Sequence, residues 1–221
     1  MPAFDSAAAA RQAAAMLLWT GFALLLGGLA CFAIDRRAAH SFHEIVNRKT
    51  ERLVYRTTDW AKGAHWLTAA ILAYALARLG ESALGQGPIL QMTTASALAF
   101  LASLGAGSLI LHTLKTVLGR RRPRDELELG LYGFVPFGLN LRYDSFPSGH
   151  ALTIFCVAVI LSGTVPWFAP LWFAIALYLA LTRALLNAHF LSDVFIGAAI
   201  GLLTTREVVI HLFPNLAQVW F

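Results

Sequence analysis

Charge is scarce in this chain of 221 residues, because only 13% of them are Asp, Glu, Lys or Arg. Hydrophobic residues make up 58%, and the mean hydropathy is +0.65. Soluble domains are about 25% charged and about 45–50% apolar. The composition therefore indicates a membrane protein. No stretch is polar and long enough for a second, soluble domain, so we expect a single domain over residues 1–221.

Cysteine and clustered acidic residues are also scarce. The two cysteines, Cys31 and Cys156, each lie inside an apolar run without Cys or His at metal-site spacing. Free cysteine of this kind packs as a small apolar residue. No group of Asp and Glu has the pattern of a metal site. We therefore expect no metal and no cofactor.

A nucleic-acid partner is not expected, despite the net charge of +5 and the pI near 9.6. The basic residues lie in short polar breaks between apolar runs, which is where membrane proteins carry them. A basic balance also suits a protein that binds anionic phosphate. The expected partners are the bilayer and an anionic ligand.

Long apolar runs are the dominant feature of the sequence. A helix needs about 20 apolar residues to cross a bilayer. The first run is longer than the apolar core of a signal peptide, about 7–15 residues, so we interpret it as an uncleaved span. Continuous runs exclude barrel strands and predict an all-α, polytopic bundle of six transmembrane helices. The expected spans are 13–34, 64–79, 92–114, 149–165, 170–187 and 190–212.

Two longer breaks separate these spans. Residues 35–63 mix charged and apolar side chains, which is typical either of an amphipathic helix on the membrane surface or of a solvated connector. The second break, 119–147, is unusually apolar and aromatic, so we expect it to contact acyl chains. Its apolar residues include Leu129, Leu131, Tyr132, Phe134, Val135, Phe137, Leu139 and Leu141.

The first chemically distinctive cluster, residues 115–123, reads K-T-V-L-G-R-R-R-P. If the helix continues from Lys115 to Arg122, the two cations lie about two turns apart on one face. Pro123 indicates that a helix ends there. The alternative interpretation is a positive patch that flanks a span.

The second cluster, residues 145–150, reads S-F-P-S-G-H and precedes an apolar run. This pattern predicts a helix start with Ser148 as the N-cap. Amide groups at a helix start bind anions, and Gly149 allows a phosphate to approach the backbone. His150 then lies in the first turn. The alternative is simple helix capping with a histidine nearby.

The third cluster contains Arg183, His189 and Asp193. His189 and Asp193 are four residues apart and share a helix face. A carboxylate beside an imidazole fixes its tautomer. Arg183 lies across a predicted turn near Asn187 and offers two parallel donors for phosphate. The alternative is an ion pair with a purely structural role.

All three clusters lie at span ends on one face of the predicted bundle. The order K-x6-R-P, then P-S-G-H, then R-x5-H-x3-D resembles the type 2 phosphatidic acid phosphatase superfamily. That superfamily includes membrane lipid phosphatases, bacterial acid phosphatases, glucose-6-phosphatases and vanadium haloperoxidases. One departure is Thr182, which stands where the family usually has Ser before the Arg.

The resemblance implies a role for each matching residue. Five residues would hold the phosphate: Lys115, Arg122 and Arg183 by their cations, Ser148 by its hydroxyl and Gly149 by its amide. His189 would attack phosphorus to form a phosphohistidine, Asp193 would orient His189, and His150 would protonate the leaving alcohol. The reaction would need no metal.

The resemblance predicts a lipid phosphate phosphatase, acting on a phosphomonoester or a diphosphate. Candidate substrates are phosphatidylglycerophosphate, phosphatidate, an isoprenyl diphosphate and a lipid A phosphate. Two alternatives stay open: a phosphatase of a soluble ester, and a membrane protein that binds or transports an anion without catalysis. The sequence does not indicate an oligomeric state.

We expect a multi-pass protein of a bacterial inner membrane. Fourteen of the 17 Lys and Arg residues lie on the side of the three clusters, which by the positive-inside rule favours a cytoplasmic site. Several of these cations belong to the clusters, however, and so are not free topological signals. Because bacterial members of the family usually act on the periplasmic face, the resemblance implies a periplasmic site.

Overall fold

The regular secondary structure of the described residues is helical, as the continuous apolar runs predict. The computed structural model describes residues 3–138 and 140–221, with side chains from residue 11 onwards except at position 141. Within these residues there are short 3-10 turns, isolated bridges and no strand. The helices are α1 (Ala3–Cys31), α2 (Asp35–Ile45), α3 (Arg48–Thr58), α4 (Gly63–Leu84), α5 (Pro88–Leu118), α6 (Pro123–Leu129), α7 (Gly149–Thr164), α8 (Ala169–Leu185), α9 (Leu191–Leu212) and α10 (Pro214–Trp220).

Each of the six predicted spans is occupied by a helix, although not all of them have spanning length. Five stretches are long and apolar enough to cross a membrane: Arg11–Cys31, Arg48–Leu84, Pro88–Leu118, Pro166–Leu185 and Leu191–Leu212. The sixth, α7, has 16 residues and falls short of the roughly 20 that a full crossing needs. The multi-pass helical bundle is confirmed, and the count of six full-length spans is not.

Helix α7 forms the centre of the bundle. Every residue from Ala151 to Ile160 is buried, and the helix packs against α5, α8 and α9. A helix that is apolar on all faces is expected in such a position. The first turn of α7 is therefore surrounded by the ends of its neighbours.

Two glycines set the close approach of α7 and α9. A Cβ at Gly197 would lie 2.3 Å from the Ser148 carbonyl oxygen, and one at Gly201 would lie 2.3 Å from the Leu152 carbonyl oxygen. Small residues four apart allow helix backbones in membranes to pack closely. This contact brings the start of α7 beside the start of α9.

The outer helices cover this centre. Helix α1 packs along α9, and α4 packs along α5. Their outward faces expose large apolar side chains, among them Trp19, Leu76 and Leu109. Exposed apolar surface of this extent on long helices is the expected lipid-facing surface of a membrane bundle.

Residues 35–63 form two helices, α2 and α3, and not one continuous amphipathic helix. The break lies at Asn47, whose Oδ1 accepts hydrogen bonds from the amides of Lys49 and Thr50, both at 3.0 Å. Such N-caps start new helices. Each helix buries a short stripe against the bundle, with Asp35 in α2 and Thr58 in α3.

The apolar break before α7 divides its side chains between two environments. Leu129, Leu131 and Phe137 are exposed, which is compatible with contact to acyl chains. The rings of Tyr132 and Phe134 lie 5.5 and 5.3 Å from the guanidinium of Arg120. Leu139 and the side chain of Leu141 lie outside the described residues.

Candidate active site

The three sequence clusters meet around one cavity of about 360 Å³. Its walls come from the start of α4, the second half of α5, the break before α7, the start of α7 and the turn after α8. Six of the eight predicted site residues line it: Lys115, Arg122, Gly149, His150, Arg183 and His189. The other two, Ser148 and Asp193, are fully buried behind its wall.

Lys115 and Arg122 reach the cavity by different routes. Lys115 lies in the last turn of α5, which ends at Leu118, so the helix does not continue to Arg122. Gly119 has φ +52°, and a Cβ there would lie 2.2 Å from the Val135 carbonyl oxygen. Only glycine is tolerated in such a place. Arg122 follows in extended conformation before Pro123, as expected for a residue that precedes proline.

Asp144 binds both of these cations, although it lies outside the three sequence clusters. Arg122 donates from Nε and Nη2 to the Asp144 Oδ1 at 2.9 and 2.7 Å. Lys115 Nζ donates to the Asp144 carbonyl oxygen. Asp144 also lines the cavity. The only available signal was its position, one residue before the S-F-P-S-G-H cluster.

The start of α7 has the predicted form. Ser148 is the N-cap, with its Oγ accepting from the Ala151 amide at 3.5 Å, and its own amide donates to the Asp193 carbonyl at 3.0 Å. Gly149 and His150 follow at the cavity wall. Among the described residues His150 Nε2 has no hydrogen-bond partner, although the atom is buried. A buried nitrogen without a partner in a cavity wall is available to a ligand.

The predicted turn near Asn187 carries His189 into the cavity. Asn187 has φ +50°, which asparagine tolerates better than most residues. The Arg183 carbonyl accepts the amides of Ala188 and His189 at 3.0 and 3.2 Å. These two hydrogen bonds close the turn and fix the position of His189 relative to Arg183 in space.

His189 has one ring nitrogen committed to the protein. Nδ1 lies 2.6 Å from the Ser145 carbonyl oxygen, and because a carbonyl oxygen only accepts, Nδ1 carries the proton. In the neutral ring, Nε2 then has the free electron pair. Complete burial, reinforced by the cations Lys115, Arg183 and Arg122, holds the pKa of His189 well below its ordinary value. The ring is therefore neutral at neutral pH.

Asp193 does not contact His189 in the way that the i, i+4 spacing predicts. Its Oδ2 lies 3.9 Å from His189 Nδ1, which is too long for a hydrogen bond. This oxygen accepts from the Ser145 hydroxyl at 2.6 Å and from the Phe190 amide at 2.8 Å. The link from Asp193 to His189 therefore runs through Ser145.

Arg183 is positioned by α3. Its Nη1 donates to Thr58 Oγ1 at 3.3 Å, and the hydroxyl oxygens of Thr182 and Thr58 are 2.8 Å apart. In the described part of the chain the cation beside Asp193 is Arg120, so the structural ion pair of Arg183 with Asp193 is not formed. Thr182, the departure from the family pattern, keeps a hydroxyl in this network.

Comparison with known proteins agrees with the sequence resemblance. A family model for the PAP2 superfamily matches residues 96–216, which is more than half of the chain. A lipid A 1-phosphatase of Rhizobium johnstonii is 29% identical over 148 residues, covering 65% of this chain and 60% of that protein. The chain therefore spans less than two thirds of that relative's length.

Two solved structures share the fold. The crystal structure of Aquifex aeolicus LpxE has a TM-score of 0.60 at 17% identity, covering 80% of this chain and 96% of that one. A transmembrane PAP2-type phosphatidylglycerolphosphate phosphatase of Bacillus subtilis has a TM-score of 0.59 at 20% identity, covering 86% and 94%. Together with the family match, these findings show that the chain belongs to the PAP2 superfamily, also known as the type 2 phosphatidic acid phosphatases.

Proposed function

We propose that this protein is a membrane phosphatase that removes phosphate from a lipid phosphomonoester or diphosphate through a phosphohistidine on His189. One observation carries the proposal: the neutral ring of His189 faces the same cavity as three cations, Lys115, Arg122 and Arg183. A free imidazole nitrogen beside a cationic pocket suits nucleophilic attack on phosphorus.

In the first step, His189 Nε2 forms a bond to phosphorus while the bond from phosphorus to the leaving oxygen breaks. His150, which takes up a proton when the dianionic phosphate enters the cavity, donates this proton to that oxygen. The three cations and the Gly149 amide stabilise the charge that spreads over the equatorial phosphoryl oxygens. Ser148 caps α7 and holds this amide in place.

In the second step, water attacks the phosphohistidine. His150, now unprotonated, accepts a proton from that water, and the bond between phosphorus and Nε2 breaks. Inorganic phosphate leaves, and both histidines return to their initial states. The reacting groups all belong to the protein, the lipid and water.

A lipid is favoured over a soluble ester by the walls of the cavity. Leu104, Leu111 and Leu152 line it beside the cations, and they lie on helices of the membrane bundle. The name of the Rhizobium relative makes a lipid A 1-phosphate the first substrate to test. The other substrates to test are phosphatidylglycerophosphate, phosphatidate and an isoprenyl diphosphate.

The test is phosphate release by the purified protein in detergent, measured with these four lipids and with a soluble phosphate monoester. We expect a lipid to be hydrolysed with the higher kcat/KM. His189→Ala lowers the rate by roughly 10³-fold or more, because the nucleophile is lost. The matched control is His211→Ala, since His211 is exposed near the end of α9.

Three results would contradict the proposal. Hydrolysis by folded His189→Ala at the wild-type rate would exclude a phosphohistidine intermediate on His189. Faster hydrolysis of the soluble ester would favour the alternative of a soluble substrate. Anion binding without phosphate release from any substrate would favour a transport or binding role.

We also propose that the protein lies in a bacterial inner membrane with this cavity open to the periplasm. The family resemblance supports this orientation, whereas the distribution of basic residues opposes it. Four of the cations on that side are not free topological signals. Lys115, Arg122 and Arg183 line the cavity, and Arg120 is buried in ion pairs with Asp35 and Asp193.

A further inference from the structure

A fully buried cation lies behind the active-site wall. The side chain of Arg120 has 0% exposure and belongs to none of the predicted site residues. Its Nη1 donates to Asp193 Oδ1 at 2.5 Å and to Ser192 Oγ at 2.7 Å. Its Nη2 donates to Asp35 Oδ2 at 2.8 Å and to the Tyr132 hydroxyl at 2.9 Å. These four hydrogen bonds join Arg120 to three separate parts of the chain: the start of α9, the start of α2 and the break before α7.

The surroundings of Arg120 make this arrangement rigid. Its guanidinium carbon lies 4.3 and 4.7 Å from the ring centroids of Phe190 and Phe32. Burial opposes the charge, but Asp193 and Asp35 outweigh burial and raise the pKa of Arg120. Breaking a buried pair leaves an uncompensated charge, which is strongly unfavourable. Arg120 and the two carboxylates therefore form one buried cluster of paired groups.

Ser145 joins this buried cluster to His189. Its hydroxyl donates to Asp193 at 2.6 Å, and its amide donates to the Arg120 carbonyl at 3.1 Å. Its own carbonyl accepts the Nδ1 proton of His189 at 2.6 Å. Residues of the cluster thus fix the hydroxyl and the amide of Ser145. The Ser145 carbonyl then holds the imidazole of His189.

We propose that Arg120 is a positioning residue for His189, acting through Asp193 and Ser145, with Asp35 as the outer anchor of the chain of contacts. Arg120 keeps the Asp193 carboxylate oriented, Asp193 keeps Ser145 in place, and the Ser145 carbonyl selects the Nδ1-protonated tautomer. Nε2 is then free to react. This inference rests on the proposed function only where it concerns turnover.

The contacts also give Asp35 a role that its position in the sequence does not indicate. Asp35 begins α2, and besides Arg120 it accepts from the Ser192 amide at 3.0 Å and the Ser192 hydroxyl at 2.5 Å. It therefore joins α2 to the start of α9. The segment 35–63 is in this way attached to the active site at its first residue.

The test uses Ser145→Ala and Asp35→Asn in the full-length protein. Ser145→Ala keeps the carbonyl but loses the hydroxyl that Asp193 orients. Asp35→Asn keeps the shape but removes one of the two charges that fix Arg120. Ser162→Ala is the control for the first, because among the described residues the Ser162 hydroxyl has no hydrogen-bond partner. Asp125→Asn, which changes a partly exposed carboxylate, is the control for the second.

The primary measurement is the ¹⁵N spectrum of histidine-labelled protein, which distinguishes the two neutral tautomers. The chain has only seven histidines, and His189→Ala identifies the signal of interest. We expect His189 to be protonated at Nδ1 in the wild type and to become a mixture of tautomers in Ser145→Ala and Asp35→Asn. Neither control changes the signal.

The second measurement is turnover. We expect kcat to fall by about 10- to 100-fold in both variants, the scale found for groups that orient metal-bound histidines. The inhibition constant of vanadate should stay within about threefold, because the cations around the cavity are unchanged. Arg120→Lys should show the same pattern more strongly, because lysine lacks the planar fork that makes four contacts.

The outcomes separate this inference from the proposed function. An unchanged His189 tautomer in folded Ser145→Ala and Asp35→Asn would overturn the positioning role, whatever happens to kcat. A changed tautomer in a protein that hydrolyses none of the substrates would support the positioning role and reject the proposed function. Since Arg120→Lys alters a fully buried cation, its folding is checked first. Ser145→Ala and Asp35→Asn decide whether the positioning role holds.

Discussion

The protonation state of His189 decides whether its free nitrogen can attack. Burial and three nearby cations hold its pKa well below the ordinary value, so the neutral ring persists into acidic solution. Protonation would place a further positive charge among Lys115, Arg122 and Arg183. The same cations that would bind phosphate thus also keep His189 unprotonated.

This residue-scale argument predicts a pH dependence. In the proposed mechanism only neutral His189 reacts. We therefore expect kcat/KM to fall on the acid side at the pKa of His189 in the free enzyme, which lies below the ordinary value of about 6.5. Lys115→Met removes one cation, which raises the pKa of His189, so the acid limb of residual activity should move to higher pH. Lys49→Met, on the exposed side of α3, should leave it in place. An acid limb above about pH 6.5 in the kcat/KM profile of the wild type would contradict this account.

A second prediction at this scale concerns Arg183. Arg183→Lys keeps the charge but loses the planar fork, so kcat should fall by about 10²–10³ and vanadate should bind more weakly. The measurement is the vanadate inhibition constant of both proteins, with folding checked separately. Arg142→Lys is the control, because Arg142 is exposed. Equal vanadate inhibition constants in folded wild type and folded Arg183→Lys would show that Arg183 does not bind the phosphate.

At the scale of helices, the crossing of α7 and α9 aligns the segments that carry His150 and His189. Ser148, at the start of α7, donates its amide to the carbonyl of Asp193 in the first turn of α9. Gly197 lies directly against the Ser148 backbone. His150 and His189 therefore face one cavity because two helix starts are in direct backbone contact.

Gly197→Ala should disturb this alignment. The added Cβ would lie 2.3 Å from the Ser148 carbonyl oxygen, so the helices must separate. Overpacking of this kind costs about 1–3 kcal/mol of stability. A displacement of about 1 Å at the reacting groups lowers the rate by about 10²-fold. Thermal unfolding and kcat are measured beside Gly105→Ala, where nothing lies within 4 Å of the added atom. Wild-type kcat in Gly197→Ala would show that this contact does not set the catalytic geometry.

At the scale of the whole molecule, orientation follows from the number of crossings. With six crossings, both termini lie on the membrane face opposite the cavity. A periplasmic active site then requires a cytoplasmic C-terminus. The basic residues of α2 and α3 oppose this arrangement by the positive-inside rule.

A pair of reporters fused after Phe221 tests the orientation. We expect a C-terminal green fluorescent protein to fluoresce, because it folds in the cytoplasm. An alkaline phosphatase fused at the same residue should stay inactive, because it needs the oxidising periplasm. The reverse pattern would place the active site in the cytoplasm, as the charge distribution predicts. Matched expression of both fusions is the control.

The sequence by itself determined the membrane class, the helical bundle and the identity of six residues at the cavity. Long apolar runs have few other stable structures in lipid, so composition alone was sufficient. Six of the eight predicted site residues line one cavity because each lies at a helix end, where local signals such as proline, glycine and an N-cap are strong.

Tertiary structure decided the contacts between those ends. Arg120 looked like one of several flanking arginines, and Asp35 lies 85 residues away from it, so no local pattern relates them. The i, i+4 spacing predicted that His189 and Asp193 share a helix face. Helix α9 begins only at Leu191, however, and His189 Nδ1 contacts the Ser145 carbonyl instead of Asp193. Buried charge pairs and backbone acceptors depend on how distant segments pack, and this information is not present in any short stretch of sequence.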